Sequence, residues 1–342
     1  MKSIVVFMLG RTRAFVDKLN DSSCDFPSLF SVLRPILTDL SIVRRPDEPI
    51  TFRCNICDGV NTGTLDGLTR EDPSCTHCGS SVRLRSIIQM LTTELFGRSL
   101  SISEIRPAHR EIIGLGLSCV DAYALPLARR LGYTNTFYHR EPRLDITRID
   151  ESMEGTLDFL ISTDVFEHID LPVSRAFANA RKLLKPDGVL IFSVPFSHPG
   201  EPGVPAVEHF PHLHDYSVED VGGQFRLKNT TCTGEVEIFD KLIFHGGPGS
   251  TLEMRLFSEA SLFSELQNAG FAEVEIYGGS DLSHGIHWAN KWSVPMVARA
   301  GKRSDAAYPR IRKTRRFAMK HPQPTLSVRL IRRIVRKILT GP

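Results

Sequence analysis

Asp164, Glu167 and His168 stand at the i, i+3, i+4 spacing that puts two carboxylates and an imidazole on one face of a helical turn. The imidazole titrates near neutrality and so suits a general base, with Asp164 as its acidic neighbour; the same set can hold a divalent metal or hydrogen-bond the start of a helix. From the residues alone all three readings stay open. A second concentration, Glu208-His209-Phe-Pro-His212-Leu-His214-Asp215, packs three imidazoles and two acids into eight residues. His209 is its candidate base, and a lid ordered by hydrogen bonds is the alternative. The third is Cys54-x2-Cys57-x17-Cys75-x2-Cys78. Each C-x2-C turn offers two thiolates one tetrahedral edge apart, so the four predict a closed, structural zinc site of the ribbon type. Free thiols or two disulfides are the competing account, and His77 inside the second knuckle is an alternative or outer ligand.

These groups need elements to hold them. Phe159, Leu160 and Ile161 form a short apolar run of the kind buried in a parallel sheet, ending in polar Ser162, Thr163 and Asp164. A helical period follows in Val173, Ala176, Phe177, Ala180, Leu183 and Leu184, until Pro186 and Gly188 stop it and a β run resumes over 189–194. The order is that of a right-handed strand, helix, strand crossover. Upstream, Glu111-Ile-Ile-Gly114-Leu-Gly116-Leu-Ser118 reads as a strand and tight turn before a helix over 123–131, where glycine admits a ligand to the backbone and the helix start favours an anion. The next β run is expected over 136–139, with Glu141 just beyond it. Downstream, 258–269 reads as a helix and 271–277 and 292–298 as strands. Between them 224–244 suggests a hairpin around Thr233-Gly234, and His245-Gly-Gly-Pro-Gly249 a mobile or anion-cradling loop. After Cys78 a helix carries Leu84, Ile87, Ile88 and Leu91 inward, with Arg83 and Arg85 read as solvated charges before contacts to an anionic substrate.

The 158–195 block, with its Asp-Val-Phe-Glu-His turn and Lys185-Pro186-Asp187-Gly188 loop, resembles the fourth and fifth strands of class I S-adenosylmethionine-dependent methyltransferases. The glycine run is similar to the family's D/E-h-G-x-G-x-G, with Ser118 at the third glycine and Ile112-Ile113 where an acid often sits. The resemblance implies an α/β, Rossmann-like methyltransferase fold, a mostly parallel sheet with a closing antiparallel hairpin, preceded by a small zinc ribbon. It implies S-adenosylmethionine as cofactor, with Gly114, Gly116 and Ser118 lining its methionine, Glu141 gripping the ribose diol, Asp145 at the end of a third strand accepting from the adenine amino group, and Asp164 beside them. The Asp164, Glu167 and His168 trio would then face the transferring methyl, with His168 as base, or hold a metal as the related turn does in enzymes resembling ubiquinone-pathway O-methyltransferases. A ribbon followed by C-G-S-x-x-R-x-R resembles a bacterial group of methyltransferases. The expected organisation is an N-terminal segment over 1–48, a ribbon over 49–82, a methyltransferase domain over 83–300 with a substrate-side insertion at about 197–257, and a basic tail over 301–342.

Charge divides the same way. Residues 301–342 hold thirteen Lys or Arg against Asp305 alone, leaving the first 300 residues 29 basic and 38 acidic groups, a net −9. The 326–339 segment, LSVRLIRRIVRKIL, separates an aliphatic stripe from a cationic one, as an amphipathic helix that meets anionic lipid, a partner, nucleic acid or its own domain would. No run approaches the roughly 18 apolar residues of a membrane span, and the 4–9 apolar run is shorter than a secretory one, so a cytoplasmic protein is expected, peripheral to the inner membrane face if the tail binds lipid. Three functions follow as expectations. The first is methylation of a small-molecule or glycan-type acceptor. The second is RNA methylation, motivated by ribbon and tail but opposed by the acidic body, and the third a non-catalytic scaffold, motivated by the altered glycine run.

Overall fold

The computed structural model describes residues 46–197, 207–289 and 293–302. The tail with its amphipathic 326–339 segment, Cys24, residues 1–45 and Trp292 of the expected closing strand lie outside the described residues.

The chain opens with β1 (Pro49–Arg53) and β2 (Val60–Thr64), paired antiparallel, and after the second cysteine knuckle enters α1 (Val82–Phe96). β1 buries Ile50 and Phe52 and exposes their neighbours, the alternation of a strand covered on one face. These two residues close over Leu65, Leu68, Val82 and Ile286, so the ribbon docks directly on a distant loop. α1 turns Ile87, Ile88, Met90 and Leu91 inward, and Gly97 ends it in the left-handed region, φ 72°. Arg85, expected at the surface, is fully buried. Its guanidinium donates to the carbonyls of Ser80 and Gly285 at 2.6 and 2.7 Å and lies 4.8 Å from the Phe52 ring centre, which replaces the water it gives up.

Then come β3 (His109–Leu117), α2 (Asp121–Ala128), β4 (Leu131–Thr136), β5 (Leu157–Thr163), α3 (Ser174–Leu183) and β6 (Leu184–Ser193). Short strands β7 (Phe196–Ser197) and β8 (Val207–Glu208) precede a meander of β9 (Asp215–Val221), β10 (Gln224–Thr230) and β11 (Val236–Phe239). β12 (Phe244–His245) and β13 (Thr251–Leu252) form a small hairpin. β14 (Arg255–Ser258), α4 (Glu259–Asn268), β15 (Glu273–Ile276) and β16 (Met296–Arg299) complete the described chain.

Six strands make the central sheet in the order β15-β16-β6-β5-β3-β4. The last four are mutually parallel, and β16 is antiparallel to both neighbours. This is the expected parallel sheet closed by an antiparallel hairpin. Helices cover both faces, which is why β5 is apolar throughout except for its polar ends. On one face α3 and α4 pack over Phe166, Phe177, Phe192 and Phe257, with Phe166 at 4.8 and 5.1 Å from the Phe177 and Phe192 ring centres. On the other, α1 and α2 share a core with Cys54, Ile56 and Cys75 of the ribbon. Each fully buried Phe, Leu or Ile contributes roughly 1.5–3 kcal/mol, so ribbon and sheet stabilise each other. Arg299 fastens the closing hairpin to α1 through Glu94 and Glu275, at 2.6 and 2.8 Å.

Three local expectations are corrected. The second β run lies over β4, and by Phe137 the chain has turned into a loop closed by the Phe137 N–H on the Pro142 carbonyl. No strand forms at Asp145. Its carboxylate accepts the N–H and hydroxyl of Thr147 at 2.9 and 2.7 Å, a local turn that competes with pairing. β6 begins at Leu184, ahead of Pro186, because Leu184 already pairs with Leu157. Asp158, at the start of the signature block, lies at the opposite end of β5 from Asp164 and braces the sheet, accepting from the Ile113 N–H and Lys185 at 2.8 and 2.7 Å. No helix among the described residues is long and apolar enough to cross a membrane.

Candidate functional site

The four cysteines of the ribbon converge. All four Sγ atoms lie within 4.8 Å of one another, with Cys54 to Cys78 at 3.8 Å and Cys57 to Cys75 at 3.6 Å. Thiolates about 2.3 Å from a shared tetrahedral zinc are about 3.8 Å apart, so the spacing fits the ion. Asn61 Nδ2 donates to Cys75 Sγ at 3.4 Å, and buried Arg85 adds positive charge beside the sulfurs. His77 instead meets the Val60 carbonyl at 3.2 Å, outside the four-sulfur set.

At the carboxyl ends of β5 and β6 the ribbon reaches the sheet. Asp164, in the left-handed region at φ 52°, accepts from Arg70 Nη2 at 2.9 Å and from Ser193 Oγ at 3.0 Å, and pairs with Arg83 Nε at 3.3 Å. Burial alone would raise the Asp164 carboxyl, but the two guanidiniums outweigh it and hold the group below the usual carboxylate range. Arg83, read from sequence as a solvated charge, is therefore part of the site. Arg70 had no signal in its neighbourhood.

The expected single helical face for Asp164, Glu167 and His168 does not form. Residues Phe166–His168 make one 3-10 turn, and the left-handed Asp164 points its carboxylate back to the arginines while Glu167 and His168 go the other way. Glu167 is fully buried. Burial pushes its carboxyl up to about 7. Its Oε1 lies 3.6 Å from both His168 Nε2 and His245 Nδ1. His168 donates Nδ1–H to the Leu252 carbonyl at 2.7 Å, and burial lowers its affinity for a proton. His245 contacts Glu253 through Nε2 at 2.8 Å, and its carboxylate neighbours Glu167 and Glu253 raise it to about 10. His209 reaches the other oxygen of Glu253 through Nε2 at 2.9 Å. Arg255 underpins the turn by donating to the Phe166 carbonyl at 3.0 Å while bound to Glu208 at 2.7 Å, and the Met254 N–H donates to the Glu167 carbonyl at 2.8 Å. Of the three imidazoles in the eight-residue cluster, only His209 joins this group, since His212 pairs with Glu237 at 2.9 Å and the His214 N–H with Asn229.

Gly114 and Gly116 lie inside β3 rather than in a turn. A Cβ at Gly114 would overlap the Phe159 ring, and one at Gly116 the Tyr133 hydroxyl and Cys119 sulfur, so these glycines make room for neighbouring side chains. The turn itself is Ser118, exposed at φ 52°, whose N–H donates to the Thr136 carbonyl at 2.7 Å. Glu141 is exposed on the loop beyond β4 and accepts its own loop's Arg143 N–H at 3.0 Å. Ser118, Glu141 and Asp164 thus follow the carboxyl ends of adjacent parallel strands, where open α/β sheets bind ligands.

A family model described as a methyltransferase domain matches residues 97–276. Among solved structures, the CurJ carbon methyltransferase aligns at 13% identity over 65% of this chain and 56% of its own, with a TM-score of 0.38. The CMeT domain of the citrinin polyketide synthase aligns at 11% identity over 58% of this chain and 48% of its own, TM-score 0.34, so the chain spans about half the length of these two. A sugar N-methyltransferase from a Streptoalloteichus species aligns at 15% identity over 59% of this chain and 84% of its own, TM-score 0.33. No curated protein sequence matches the chain.

Proposed function

The chain belongs to the methyltransferase-domain family, whose model matches 180 of its 342 residues, and from that premise we propose that it moves the methyl group of S-adenosylmethionine to a small-molecule or glycan-type acceptor. The matched span carries the reading, because it runs from before β3 to the end of β15 and so contains the strands whose carboxyl ends bear Ser118, Asp164 and Ser193. The donor set suits the cofactor. Paired guanidiniums beside a carboxylate match a zwitterionic amino-acid head, and the Ser118 hydroxyl and Glu141 carboxylate match its carboxylate and ribose diol. When bound, S-adenosylmethionine supplies a methyl group on an already activated sulfonium.

The protein's own part is then alignment and removal of a proton. Asp164 holds Arg70 and Arg83 in place. The Nε2 of His209 is engaged by Glu253, leaving Nδ1 to accept, and its side chain is 22% exposed; His245, at 34%, is held between Glu167 and Glu253, which keep a proton on it. In this reading His209 is the base, with Asp164 and His168 positioning the site. The insertion presents imidazoles and carboxylates, which suit hydroxyl or amine groups, and the net −9 of the first 300 residues disfavours a polyanionic acceptor. Zinc at the four cysteines is structural, holding the ribbon that delivers Arg70 and Arg83.

Calorimetry with S-adenosylmethionine tests the cofactor map. Glu141→Ala is expected to weaken binding about tenfold or more, the worth of hydrogen bonds to a charged acceptor, and His168→Ala by much less. The reverse order would overturn the assignment.

A further inference from the structure

We propose that Glu167, His168 and His245 form a second metal site, one for a divalent first-row transition ion, distinct from the four-cysteine centre. Their donor atoms lie within 4.8 Å of one another. The two distances from Glu167 Oε1, 3.6 Å to His168 Nε2 and 3.6 Å to His245 Nδ1, are too long for hydrogen bonds. They lie a few tenths of an ångström beyond the roughly 3.0–3.4 Å separating atoms about 2.1 Å from a common ion.

The strongest single observation is Glu167 itself. A fully buried carboxylate is costly unless paired, neither of its oxygens has a partner at hydrogen-bond distance, and Oε1 lies 3.6 Å from one nitrogen of each of two imidazoles. A bound cation removes that cost. The imidazoles are prepared for it. The Leu252 carbonyl takes His168 Nδ1–H at 2.7 Å and Glu253 takes His245 Nε2–H at 2.8 Å, so each ring turns its remaining nitrogen toward Glu167, and a metal ion would displace the proton held at His245 Nδ1. Such outer partners fix the tautomer and ring orientation of metal-bound histidines. The rings stand edge to face with centres 4.7 Å apart rather than stacking.

Two histidines and one carboxylate leave coordination positions open, and this mixed N/O set suits Fe, Co, Ni or Zn in the divalent state better than Ca or Mg. The site joins two segments far apart in sequence, the turn after β5 and the β12–β13 hairpin of the insertion. Arg255, through the Phe166 carbonyl and Glu208, and Met254, through the Glu167 carbonyl, are positioning residues for it.

The test uses the full chain, loaded with one zinc, dialysed against Co²⁺ and assayed for both metals by elemental analysis. One cobalt per chain in addition to the zinc is expected. Glu167→Gln and His245→Ala should each lose the cobalt and keep the zinc, which also reports that the ribbon is folded. Glu253→Gln should weaken cobalt binding about 10- to 100-fold by releasing the His245 ring. Absence of cobalt from the wild type, cobalt seen only at the thiolates by its sulfur-to-metal absorption, or full retention by the two ligand variants would overturn the site. The readout needs no enzymatic turnover, so it stands or falls separately from the proposed reaction.

Discussion

Exchanging Cys54 for serine is expected to release the zinc and unfold the ribbon. Cys54 is fully buried, its sulfur lies 3.8 Å from that of Cys78, and it belongs to the same core as Ile87, Tyr123 and Ile161. Structural zinc in small modules contributes on the order of 10 kcal/mol, comparable to the whole stability of an ordinary domain, so the loss cannot be absorbed locally. Hydrogen exchange should show the amides of 49–82 losing protection, with a large fall in Tm and less than one zinc per chain. Cys232→Ser is the control, since Cys232 is exposed and belongs to no metal cluster. Equal Tm and zinc content for the two variants would refute the closed four-thiolate site.

Asp164→Ala should be the most damaging change outside the ribbon. It leaves Arg70 and Arg83, whose side chains are only 13% and 15% exposed, sharing the single, more exposed carboxylate of Glu71 as their counter-charge. Removing the buried partner of such a cluster costs roughly 1–3 kcal/mol, less than for an isolated pair because Glu71 still offsets part of the charge. Urea unfolding should report that loss, and adding Arg70→Met should return part of it, because the double variant no longer holds two cations against the one carboxylate of Glu71. A double variant no more stable than Asp164→Ala would show that the arginines are not coupled through this carboxylate. Affinity for S-adenosylmethionine should fall in the single variant as well, since the cationic pair is no longer held in place.

What could be read in the sequence was what neighbouring residues encode. Two C-x2-C turns, the apolar run of β5 and the stripe of α3 each carry their geometry locally, and the sheet with its closing hairpin was implied by the family that they resemble. What could not be read depends on chain crossing the molecule. Asp164 looked like part of one helical face with Glu167 and His168 because nothing nearby shows that Arg70, 94 residues earlier, would claim it. Glu253 has no motif, and it matters because its oxygens reach His209, 44 residues before it, and His245. The glycines were read as a ligand-cradling turn. Their role became visible only with Phe159 and Tyr133 laid across them from β5 and β4. Asp145 carried an acid at the expected spacing, but Thr147 two residues on offered it a local turn.

Transfer of labelled methyl from S-adenosylmethionine by the zinc-loaded protein, in fractionated cell extract, tests the central claim most directly. The account predicts label in a small-molecule or glycan fraction, insensitive to RNase. Label that appears only in RNA and vanishes on RNase treatment, or no transfer to any fraction, would contradict it.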